Sequence, residues 1–95
     1  MKAAGWAVGT TRDFLGLSDE EAAFIDIRVA LAVTLKRLRC TLDLTQVEAA
    51  KRLKTSQSRV AKMEFADKTV TVDLLIRSIL RLGGTRELVA AAISR

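Results

Sequence analysis

Two short helical segments, separated by a break of three or four residues and each opened by a hydroxyl side chain, constrain this chain more than any other feature. They lie within Thr45–Asp67, TQVEAAKRLKTSQSRVAKMEFAD. The first runs from about Thr45 to Leu53 and the second starts at Ser56. Thr45 and Ser56 are suited to be N-caps, because their side-chain oxygens accept a backbone N–H that the first helical turn leaves unpaired. Two capped helices this close in sequence make a helix-turn-helix.

Phase then assigns the faces. At about 100° per residue, Val60, Met63 and Glu64 fall on one side of the second helix and Gln57, Ser58, Ala61 and Lys62 on the other. In the first helix the small Ala49 and Ala50, with Leu53, let its partner approach closely. The inward Glu64 needs a partner, since an unpaired buried carboxylate is costly. Arg39, one turn beyond Leu35 and beside an apolar stripe, is the expected one. The outward face carries an amide, a hydroxyl and an ammonium near a helix N-terminus, which suits base edges and phosphates in a major groove.

The run Leu44-Thr45-Gln46, Ala50, Leu53, Ser56-Gln57-Ser58, Val60 and Glu64 resembles the pattern of the phage repressor and Cro (XRE) family, over roughly residues 30 to 82. The resemblance implies a repressor-like DNA-binding domain of about residues 18–95, with its motif at about 45–64. It implies that Gln46 meets a phosphate and braces Gln57, and that Arg39 and Glu64 pair across the helices. It also implies that the loop carrying Lys68 passes near a phosphate. The expected DNA-binding set is Gln46, Ser56, Gln57, Ser58, Arg59, Lys62 and Lys68, on double-stranded DNA. Lys54 and Ala66 stand where such proteins often have glycine, so a positive φ at either costs on the order of 1 kcal/mol. Some antitoxins similar to this chain carry such a domain, so a cognate toxin is a second expected partner.

Charge agrees with that surface. Residues 1–35 hold three basic and five acidic side chains, residues 36–68 nine and four, and residues 69–95 four and two. The excess sits on the motif, as a phosphate-facing surface requires. The chain has no histidine and one cysteine, Cys40, so it has no internal disulfide, ordinary zinc site or histidine base. Cys40 is expected to be a small apolar residue on a helix flank. With the carboxylates scattered or used as caps, neither an enzyme nor a cofactor site is expected. No apolar run approaches the ~20 residues that span a bilayer, and no signal-peptide core is evident, so the expected location is the cytoplasm.

The remaining segments frame the motif. Residues 1–17, with Trp6 and Phe14, are expected to form an N-terminal arm packed on the body or across a dimer. Ser18 and Glu21 form a capping box, with Leu17 stapling onto Ala22, and open a helix to about Cys40 or Thr41. Its main apolar stripe is Phe24, Ile27, Leu31, Leu35, Leu38 and Leu42. A second stripe, Ile25, Val29 and Ala32 or Val33, needs a second partner; a homodimer contact through Ile25 and Val29 is one solution, and cover by residues 1–17 the other. Thr71 caps a helix through Leu82 with Leu74, Leu75, Ile79 and Leu82 apolar, and Gly83-Gly84 stops it. Thr85 caps a last helix whose Leu88, Val89, Ala92 and Ile93 pack on the body or on a second subunit. The expected fold is all-α, a compact bundle of about five helices around the helix-turn-helix.

Overall fold

The computed structural model describes Gly16 and residues 18–94, and within them the chain forms five α-helices. They are α1 (Asp19–Thr41), α2 (Gln46–Leu53), α3 (Gln57–Glu64), α4 (Val72–Arg81) and α5 (Arg86–Ile93). The expected arm and the Leu17 staple lie outside the described residues.

Every helix starts at a hydroxyl. Ser18, Thr45, Ser56, Thr71 and Thr85 accept from the backbone N–H of Glu21, Glu48, Arg59, Leu74 and Leu88 respectively. Each such cap contributes about 1 kcal/mol. Glu21 and Glu48 reach back to the Ser18 and Thr45 N–H groups at 3.0 and 2.8 Å, so α1 and α2 both open with a complete capping box.

Four helix ends share one closure. The N–H groups of Leu44, Thr55, Asp67 and Gly84 donate five residues back, to the carbonyls of Arg39, Ala50, Lys62 and Ile79. That geometry puts the preceding residue in the left-handed region. Those residues are Asp43 (φ 59°), Lys54 (56°), Ala66 (56°) and Gly83 (101°), so only one of the four is glycine. Lys54→Gly and Ala66→Gly are each expected to stabilise the fold by about 0.5–1 kcal/mol, as relief of the Cβ clash exceeds the added freedom of the unfolded chain. Urea titration reads the change, and an unchanged or lower midpoint in both variants would count against strain at these joints. Gly84 is required for another reason: a Cβ there would sit 2.5 Å from Ile79 Cγ2.

Helix α1 is the spine. Its Leu31, Ala32 and Leu35 are buried with Ala49, Ala50 and Leu53 of α2, Val60 and Met63 of α3, and Leu75 and Ile79 of α4. Val70, Leu82 and Ala92 complete this core, while Leu88 and Val89 pack partly against it. The buried alanines let α2 lie close to its neighbours, as their size requires.

Two residues of the expected main stripe are not buried. Phe24 is 51 % and Leu42 39 % exposed. At about 1.5 Å per residue α1 is roughly 34 Å long, whereas α4 and α5 are only about 15 and 12 Å, so they cover part of it. Phe24 lies on the uncovered first turns, where the Arg28 guanidinium stands 5.8 Å from its ring centroid. Leu42 is the C-cap residue, at the very end of the spine. The second stripe divides: Ala32 joins the core, Ile25 and Val33 are half-buried, and Val29 stays 44 % exposed. Val29, Val33 and Ile93 line an apolar cleft of about 490 Å³ where α1 meets α5.

Candidate nucleic-acid interface

Helix α3 presents two faces of different chemistry. Val60 and Met63 are 1 % exposed, whereas Gln57, Ser58, Arg59 and Lys62 are all exposed and Ala61 is half-buried. Inward burial fixes the roll of the helix about its axis and so decides which side chains look out.

A polar chain then locks α3 to the rest of the molecule. Arg39 donates to both carboxylate oxygens of Glu64, from Nε to Oε2 and from Nη2 to Oε1 at 2.9 Å. The side chains are 13 % and 5 % exposed, so the pair is nearly dry. The bond to Glu64 holds the Arg39 pKa above its ordinary value despite burial. Arg39 Nη1 also donates to the Leu44 carbonyl at 2.8 Å, which ties the α1–α2 turn into the same group. Gln46 Nε2 donates to Glu64 Oε1, and Gln57 Nε2 to Gln46 Oε1, each at 3.2 Å. Four residues from three helices therefore run from the core to the surface and end on Gln57. The structure brings together the two residues expected to pair and the two glutamines expected to touch.

Ser56 keeps its hydroxyl on the Arg59 N–H at 3.1 Å, so its first task is to start the helix. Arg59 is displaced from the other outward residues. About 100° from Ser58 and on the far side from Gln57, it borders a cleft of about 350 Å³ with Arg77 and Arg81. These two arginines, four residues apart on α4, were not among the expected interface residues, and nothing in the sequence joined them to Arg59. Arg77 is itself paired with Asp73 at 3.2 Å.

Lys68 is exposed in the loop between α3 and α4. The loop is shaped by Asp67, whose Oδ1 accepts from the Thr69 N–H at 2.9 Å and its hydroxyl at 2.7 Å. Those bonds, aided by the charges of Lys62 and Lys68, hold the Asp67 carboxyl below its ordinary pKa. Bonds from Thr45 do the same for Glu48. Because both are depressed in the folded state, what they contribute is present at neutral pH and is lost as pH falls through the carboxylate range. Phe65, given no role by the sequence, is 87 % exposed at the end of α3.

A family model described as a helix-turn-helix domain matches residues 11–91. The chain belongs to this helix-turn-helix family. Searches of curated proteins and of solved structures each returned no match. Such a domain supports DNA binding, and α3 is the second helix of its motif. The helix-turn-helix domain matched here takes in the whole of α1–α4 and most of α5. Among the described residues, no helix is long and apolar enough to cross a membrane.

Proposed function

We propose that this helix-turn-helix protein is a sequence-specific transcriptional regulator, acting as a repressor in the cytoplasm, and that a homodimer inserts α3 into the major groove. The observation that carries the reading is the polar chain ending on Gln57. One amide proton of Gln57 is engaged by Gln46. The second proton and Oε1 remain for N7 and N6 of an adenine, the two-edged contact that distinguishes this base. In this reading Gln46, at the start of α2, meets a phosphate. Ser58 and Lys62 share the outward face, with Ser56 and Arg59 at its flank and Lys68 beyond its end.

Reading and positioning separate experimentally. Gln57→Ala is expected to flatten preference at one base position of each half-site, a loss of roughly 1–3 kcal/mol in discrimination. Lys68→Ala is expected to weaken all sequences about equally and to reduce the salt slope by up to ~0.9 for each phosphate it no longer neutralises. The measurement is binding to a randomised-site library at two salt concentrations. Full base preference retained by Gln57→Ala would place the wrong helix in the groove.

A second reading is an antitoxin that uses the same DNA face and binds a toxin elsewhere. The apolar cleft at Val29 and Ile93, away from α3, favours it as a protein-binding surface. Co-purification with the neighbouring gene product supports the antitoxin, and DNA regulation without any retained partner supports the simple repressor.

A further inference from the structure

Phe65 is the most exposed large apolar side chain among the described residues, at 87 %. A phenyl ring left in water gains nothing on folding, so covering it on binding is favourable. It is the C-cap residue of α3, with φ −90° and ψ 0°, so the backbone still follows the helix there. Seven residues beyond Ser58, it lies within about 20° of the same line along the helix, next to the outward Ala61 and Lys62. The ring therefore continues the face that carries Ser58 and Lys62, about two turns beyond Ser58 and less than one turn beyond Lys62.

Its surroundings select the occupant. Phe65 borders a shallow depression with Lys36, Lys62, Gln46 and Ala61 and with two carboxylates, Glu64, which is paired with Arg39, and Asp67, which is bonded to Thr69. With Glu64 matched by Arg39, the lysines Lys36, Lys62 and, in the following loop, Lys68 outnumber Asp67, so this end of the face is net positive and favours a polyanion over a second copy of the same charge. A polyanion is attracted by the same lysines. The depression shares no residue with the α1–α5 cleft, where the apolar surface suited to a protein partner lies.

We propose that Phe65 is a specificity residue whose ring covers the C5-methyl group of a thymine in the major groove. The thymine methyl is the one apolar feature on that groove floor, and apolar side chains read it by contact. This inference rests on the proposed insertion of α3, and it adds a base that no polar residue of the helix recognises.

The probe is a duplex selected from a randomised library by the full chain, with each thymine replaced in turn by deoxyuridine. That change removes one methyl group and leaves every hydrogen-bonding edge intact. The wild type is expected to lose roughly fourfold in affinity at one thymine of each half-site, the worth of one buried methyl group. Phe65→Ala is expected to bind thymine and uracil duplexes equally at that position, and Phe65→Leu to recover part of the difference. An exposed side chain makes either variant a safe one for folding, which circular dichroism verifies. If Phe65→Ala keeps the wild-type discrimination at every thymine, or if its only effect is weaker self-association in sedimentation, the inference is overturned. Gln57→Ala and Lys62→Ala run beside it: unchanged base preference in both removes the parent reading, whereas flattened preference there with an inert Phe65 removes this inference alone.

Discussion

Replacing Glu64 by alanine is expected to lower the unfolding free energy by about 3–5 kcal/mol, because it strands the Arg39 charge in a nearly dry site. With side chains 13 % and 5 % exposed, neither partner has water to fall back on. In Glu64→Ala the guanidinium keeps only its bond to the Leu44 carbonyl, and in Arg39→Ala the carboxylate keeps only Gln46. Each single change is expected to be severe, and the double change to cost less than their sum by about 0.5–3 kcal/mol. Chemical denaturation of the four proteins in a double-mutant cycle gives the coupling directly. Strict additivity would mean that the two side chains stabilise the fold independently of each other. A second readout follows from the geometry: since Gln46 is held by Glu64, loss of the carboxylate also frees Gln57, and base preference is expected to weaken in the fraction that remains folded.

The other large effect is expected at the opposite surface. Val29→Asp puts a charge on a side chain that is already 44 % exposed, so the folded monomer should tolerate it. If the second stripe of α1 joins two copies, the carboxylate is driven into an apolar contact and the dimer dissociates. Ile25→Asp, at a half-buried position one turn earlier, is expected to act in the same direction with some cost in stability. A regulator with half-sites about 34 Å apart gains from engaging both at once. Losing the second subunit is therefore expected to weaken operator binding by roughly 10²–10⁴-fold, the usual benefit of linking two sites. Sedimentation over a range of concentrations, paired with operator titration, tests both halves. A wild-type chain that stays monomeric at tens of micromolar would sink the idea, and the apolar cleft would then await a different protein.

Helix starts were legible in the sequence because an unpaired N–H demands a nearby acceptor, and Ser18, Thr45, Ser56, Thr71 and Thr85 each supply one. Helix ends were less so. Gly83 announced its turn, and the family resemblance marked Lys54 and Ala66 as places where a positive φ could fall, but nothing marked Asp43, and all three take the left-handed conformation without glycine. There the bonds to Arg39, Ala50 and Lys62 outweigh a clash of about 1 kcal/mol, and such backbone bonds leave no side-chain signature. Burial along α1 was over-read at Phe24 and Leu42, since periodicity gives the phase of a face and not the length of the partner that covers it. At the candidate site, phase separated Val60 and Met63 from Gln57, Ser58 and Lys62. A buried carboxylate's need for a donor led to Arg39, whereas its bond to the Leu44 carbonyl had no signal at all. Phe65 was passed over because it read as the end of a helix, although its angular position already set it beside Ser58.

The contact between Gln46 and Gln57 bears on the thermodynamics of recognition. A long polar side chain gives up roughly 1–2 kcal/mol of rotamer freedom when it is ordered. In the free protein Gln57 is already tethered, through Gln46 and Glu64, to a guanidinium in the core. Part of its disorder has thus been removed during folding, before any DNA is present. A rigid amide cannot swing to accommodate a wrong base, so mismatches meet lost hydrogen bonds instead of a compensating rearrangement. In the proposed complex, selectivity at that position would be set by how stiffly the interior holds the reading group, and changes well inside the protein would alter which sequences it prefers.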